Sequence, residues 1–104
     1  GKLIKRSKWL KKYRERWCVL TADRFLTYKE GVKQPTETIE LRLCSEVERA
    51  DGETSRQNSL KVVTTQGDFY LVADTPNERD AWVAAIRSAT PTGRREAEDR
   101  ARRE

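Results

Sequence analysis

The hydrophobic pattern of this chain changes period once, and the change decides its fold class. Through residue 73, apolar side chains recur at every second position in short runs separated by polar turns, as half-buried strands require. At Thr75-Pro76-Asn77-Glu78 the pattern switches. Thr is a good N-cap, Pro suits the first helical position, and Glu three residues past the cap completes a capping box. Trp82, Ala85, Ile86 and Ala89 then fall on one face of a helix that Thr90-Pro91-Thr92-Gly93 is predicted to stop. No helix lies between the strands, so a βαβ fold is excluded. What remains is a mostly β domain of six or seven short strands, an antiparallel sandwich or partly open barrel, with one C-terminal helix covering an exposed end.

Gly1 to Ile4 reads as a first strand. Arg16 to Leu20 reads as a second, mostly buried, with Arg14, Arg16, Cys18 and Leu20 on one face and Trp17 and Val19 on the other. Trp17 and Trp82 are both expected to be structural. A tight connection leads to a third strand, Phe25 to Tyr28, and Lys29 to Pro35 is a loop. Thr38 to Leu43 alternates as one half-buried strand, with a further short strand around Val47. Residues 50–58 read as a polar surface loop, and Ser59–Val63 with Phe69–Ala73 as a hairpin turning at Thr65-Gln66-Gly67-Asp68. The division expected is a domain at 1–89 and a charged tail or linker at 90–104, helical or disordered but outside any core.

At 104 residues the chain is one domain, and with 36% hydrophobic against 38% charged residues its core is small under a very polar shell. No apolar run reaches the ~20 residues that span a bilayer, and no signal-peptide pattern opens the chain. It contains no Met, so it is expected to be a segment of a longer protein. Cys18 and Cys44 sit in apolar-patterned stretches without metal-ligand spacing and are expected to be reduced, buried thiols. With no His, no nucleophile–base pair and no Gly-rich phosphate loop, neither an enzyme nor a metal or other cofactor is expected.

Charge is unevenly distributed. Residues 1–34 carry 11 Lys and Arg against 3 Asp and Glu, whereas residues 35–89 carry 6 against 10. A positive field concentrated at one end calls for an anionic partner. Its centre is the stretch from Lys5 to Arg16, holding Lys5, Arg6, Lys8, Lys11, Lys12, Arg14 and Arg16 around an exposed Trp9-Leu10 pair. Nucleic acid is not the expected partner, since Trp9 stands alone in the loop rather than among spaced stacking platforms.

These residues resemble a pleckstrin homology (PH) domain: Gly1-x-Leu3-x-Lys5, Arg14-x-Arg16-Trp17-x-Val19-Leu20 and Leu26-x-Tyr28-Lys29 at the start, then Ile39-x-Leu41, Asn58-Ser59-x-Lys61-Val62, Phe69-Tyr70-Leu71-x-Ala73 and Glu78-x-x-x-Trp82-x-x-x-Ile86. The resemblance covers residues 1–89. It implies a seven-stranded antiparallel sandwich or partly open barrel capped by the helix, with a phosphoinositide site at the opposite corner. By that resemblance Lys5, Arg14 and Arg16 bind the head group, and Tyr28 adds a hydroxyl in the manner of members preferring 3-phosphorylated inositides, PI(3,4)P2 or PI(3,4,5)P3. Arg6, Lys8, Lys11 and Lys12 form a supporting basic loop, and Trp9 with Leu10 a membrane tip. Cys18 replaces a usual aromatic. Thr36, Glu37 and Asp68 stand where strong binders often carry cations, and these depart from the pattern.

The chemistry suits the residue types. Arg14 and Arg16, two apart on a strand, point to the same side, and each guanidinium offers a bidentate fork to phosphate oxygens. Lys5 adds a point charge from the neighbouring strand. The plain alternative is an exposed strand face in which these arginines pair with Glu15 or Glu40. The expected function is a membrane-recruitment module, monomeric in isolation and reversibly drawn from the cytoplasm to the inner plasma membrane or endosomes. The alternative is a protein-interaction module with weak, unselective attraction to anionic membranes.

Overall fold

The computed structural model describes residues 1–6 and 12–103. Seven strands are present: β1 (Lys2–Arg6), β2 (Tyr13–Leu20), β3 (Arg24–Tyr28), β4 (Glu37–Glu40), β5 (Cys44–Arg49), β6 (Ser59–Thr64) and β7 (Gly67–Val72). The helices are α1 (Asp51–Thr54), α2 (Pro76–Ser88) and α3 (Pro91–Arg103). The strands make one antiparallel sheet in the order β4-β3-β2-β1-β7-β6-β5, which does not close. The sheet curls on itself, because Phe25 of β3 and Ile39 of β4 share one core with Val47 of β5 and Leu60 and Val62 of β6. The α2 helix covers one end of that core. Ile86 is fully buried, and the Trp82 ring meets Phe25 edge-on at a centroid distance of 5.7 Å.

Period-two patterning placed the strands, and tertiary contacts changed three details. The predicted strand Thr38–Leu43 breaks after Glu40 into a 3-10 turn, Leu41–Leu43. There the Leu41 amide donates to the Asp23 carbonyl at 3.0 Å while its side chain is fully buried, so the chain leaves one sheet edge and crosses to the other. The predicted loop at 50–58 contains α1, organised by Asp51, whose carboxylate accepts the Asn58 and Ser59 amides at 3.1 and 2.9 Å. The apolar face of α2 is centred on Val83 and Ile86 with Arg79 buried beside them, and Trp82 and Ala89 only flank it.

Helix α2 begins as expected, with Thr75 Oγ1 accepting the Glu78 amide at 3.1 Å. Its end does more than stop. The Thr90 hydroxyl accepts the Gly93 amide at 3.2 Å and starts α3, so the charged tail is helical. Gly93 is required at the junction, since a Cβ there would lie 1.9 Å from the Arg87 carbonyl oxygen. The Arg94 guanidinium hydrogen-bonds the Ala22 carbonyl and ties α3 to the β2–β3 turn. Trp17, expected to be structural, is 55% exposed. It stands on the outer face of β2, and the strand buries only its other side.

Candidate functional site

One wall of the site is built by β1 and β2. Their register sets Lys5 opposite Arg14 and Leu3 opposite Arg16. Directly opposed residues of an antiparallel pair project to the same face. Leu3 and Cys18 are buried, so that face is the concave one. Lys5, Arg14 and Arg16 therefore continue the core stripe to the open end of the sheet, where apolar residues run out. Charge from Lys5 and Arg16 reaches the core beneath: burial pushes the Cys18 thiol up to about 11, and these two cations partly oppose it.

Among the described residues, neither arginine has an acidic partner. Arg14 is exposed, and Arg16 is half-buried with Nη1 donating to the Glu15 carbonyl at 2.8 Å. The acids that the alternative reading assigned to them are taken elsewhere: Glu15 pairs with Lys2 at 3.2 Å and Glu40 with Arg24 at 3.0 Å. Lys5 differs. Its side chain is only 10% exposed, its ammonium lies 2.9 Å from Glu37 Oε1, and it stands 5.9 Å from the centre of the Phe69 ring. Glu37 opposes Thr27 across the β3–β4 pair, and Thr27 opposes Cys18, so Glu37 belongs to the concave face on the far wall. The mouth of the curled sheet thus has a basic wall of three residues, with a carboxylate reaching across to one of them.

The other expected residues do not all converge here. Tyr28 is opposite Trp17, which places it on the outer face, turned away from Lys5, Arg14 and Arg16. The neighbour on the concave side is Thr27, buried with its hydroxyl 2.9 Å from Thr36 Oγ1. Arg6 is likewise turned outward. It opposes Tyr13, and its guanidinium stacks 4.3 Å from the centre of the Tyr70 ring. Arg56 covers Tyr13 at 3.8 Å, so the outer face carries its own aromatic–cation cluster. Lys12 is exposed immediately before β2. Lys8, Trp9, Leu10 and Lys11 lie outside the described residues. Sequence reasoning identified Glu37 as a departure from pattern, but nothing local signals that it meets Lys5, because the contact exists only once the sheet curls.

Among the described residues no group of three or more His, Cys, Asp or Glu side chains is placed to hold a metal ion. No described helix is long and apolar enough to cross a membrane. The arrangement gathers Lys5, Arg14 and Arg16 at one mouth of the sheet, with Glu37 as the acid facing them.

Comparison with known proteins points the same way. The PH domain family model matches residues 1–91. Human pleckstrin is 31% identical over 102 residues, spanning 90% of this chain but 29% of its own length. The solved C-terminal PH domain of pleckstrin in complex with D-myo-Ins(1,2,3,4,5)P5 is 29% identical with a TM-score of 0.76, covering 86% of this chain and 94% of that one. The Slm1 PH domain in complex with phosphoserine, at 23% identity, shares the fold with a TM-score of 0.73 over 86% of this chain and 91% of its own.

Proposed function

This chain belongs to the PH-domain family, a family of binding modules, and on that premise we propose that it holds the phosphorylated head group of an inositol lipid between Lys5, Arg14 and Arg16. The observation that carries the proposal is the pair of guanidiniums at Arg14 and Arg16, side by side on the concave face without carboxylate partners among the described residues. Their Cα atoms, two residues apart on one strand, are about 7 Å apart, a spacing from which two bidentate forks can reach adjacent phosphates on one ring. A relative of 29% identity has been solved with an inositol pentakisphosphate, which supports the ligand class.

Membrane recruitment follows from that site. Lys12 adds unselective attraction of roughly 1 kcal/mol beside an anionic leaflet. Lys8 and Lys11 have the same role on sequence grounds, with Trp9-Leu10 as the membrane tip. One head group gives reversible recruitment, to the inner plasma membrane or endosomes, and stable residence requires a second signal from the parent protein. The preference for 3-phosphorylated head groups draws on Tyr28 and on the length of the loop from Lys5 to Arg16; Tyr28 faces away, so the proposal stops at the phosphoinositide class.

Flotation with liposomes containing individual phosphoinositides, at near-physiological salt, tests it. Wild type should float with phosphoinositide liposomes and Arg16→Ala should not. Equal binding to every anionic liposome, unmoved by Arg16→Ala, would reduce the domain to an unselective charged surface. A blank on every lipid would leave protein interaction as its role.

A further inference from the structure

We infer that Glu37 is an internal competitor for the head-group site, holding the Lys5 ammonium where a phosphate oxygen would otherwise sit, and so setting how strongly anions bind. The inference rests on the proposal that Lys5, Arg14 and Arg16 form that site. Lys5 is enclosed, with its side chain 10% exposed, and among the three cations it is the one with a carboxylate at 2.9 Å. Glu37 comes from the opposite wall of the mouth, so any anion entering between the walls meets both its charge and its claim on Lys5.

The pair has little of the character of a structural bridge. Glu37 Oε1 is buried against the Lys5 ammonium at 2.9 Å, while the side chain as a whole keeps 28% exposure, so the carboxylate is only partly withdrawn from water. Ion pairs of that kind stabilise a fold poorly, because the loss of hydration offsets the Coulomb attraction. Glu37 is also the first residue of the edge strand β4, beside the loop that precedes it, so its side chain has room to turn away. Lys5 need not move with it. The Phe69 ring lies under the ammonium at 5.9 Å, near the outer limit of a cation–π contact, and favours a cation at the mouth with or without the carboxylate. A ligand must therefore displace Glu37 from Lys5 and tolerate it nearby, which weakens every anion that uses this lysine.

Calorimetric titration with soluble D-myo-Ins(1,2,3,4,5)P5 tests the inference on wild type, Glu37→Gln, Lys5→Ala, the double variant and Arg14→Ala. Glu37→Gln keeps the shape and removes the charge, and should bind roughly tenfold tighter than wild type at low salt. In the Lys5→Ala background the same substitution should gain less than about twofold, because nothing is left to compete for. Glu37→Ala should change affinity in the same direction as the amide. If wild type binds in an Arg14-dependent way and Glu37→Gln is no tighter, or gains equally without Lys5, Glu37 is not a competitor. If neither wild type nor Glu37→Gln binds, the head-group site itself is wrong and the inference falls with it.

Discussion

Arg14 and Arg16 owe their position to a period of two and their availability to where the nearby acids went. Glu15 projects to the other face and meets Lys2, and Glu40 is held by Arg24 at the far edge of the β3–β4 pair. Removing one enclosed charge-assisted partner of a phosphate costs ~2–3 kcal/mol, so Arg16→Ala should weaken head-group binding by roughly 30- to 150-fold. Tyr28→Phe should leave affinity within about twofold of wild type, as measured by the same titration, because a residue on the outer face removes no ligand contact. A loss as large as that of Arg16→Ala would place the tyrosine hydroxyl in the site after all. The arginines were legible because alternation along a single strand fixes their shared face. Tyr28 is not legible in the same way, because its face depends on pairing between two strands: opposite Trp17, it lies outside, and Thr27 takes the inner place.

The short elements are held by polar contacts that no periodicity announces. Helix α1 has only four residues, too few to be stable alone, and exists because Asp51 gathers the Asn58 and Ser59 amides and the Arg79 guanidinium, the last at 3.2 Å. Desolvation pushes the Asp51 carboxyl up, but the Ser59 and Asn58 amides with Arg79 hold it below its ordinary value of 3.8. Asp80 is held low by its hydrogen bond from Arg79, and Glu53 by those from Lys61 and Tyr70. Carboxyls depressed in the folded state bind protons more readily when unfolded. Their stabilisation is therefore complete above the ordinary carboxylate range and fades as pH falls below it. Asp51→Asn should lower the melting temperature near pH 6, and the gap from wild type should narrow as pH approaches about 3. A gap that stays constant would show that the carboxylate charge contributes nothing. At the α2–α3 junction, Gly93→Ala forces a Cβ into the Arg87 carbonyl and should detach α3, seen as faster amide exchange across Pro91–Arg103 with the sheet unchanged. The sequence marked this segment as a stop because Thr-Pro-Thr-Gly reads as a breaker. That Thr90 also caps the next helix depends on the close approach of Gly93, which only the packed structure reveals.

At the scale of the whole molecule, a small core carries the fold and a polarised surface is the proposed binding face. Phe25 is fully buried and joins the sheet to α2 through Trp82. Phe25→Ala should cost about 3–5 kcal/mol in urea unfolding, while a loss under ~1 kcal/mol would mean that the helix is seated by other contacts. This level was the most legible, because strand count, one capped helix and the order of motifs are global patterns that local errors of boundary leave intact. The mouth of the curled sheet was only half legible. Its basic wall follows from β1 and β2 alone, whereas the Lys5–Glu37 contact needs β4 to come round. Chemical-shift mapping of the wild-type amides during titration with soluble D-myo-Ins(1,2,3,4,5)P5 asks directly which surface holds the anion. The largest shifts should fall on Lys5, Arg14, Arg16 and Glu37, with little at Tyr28. Shifts centred instead on the outer cluster of Tyr13, Tyr70 and Arg56, or absent throughout, would contradict a head-group site on the concave face.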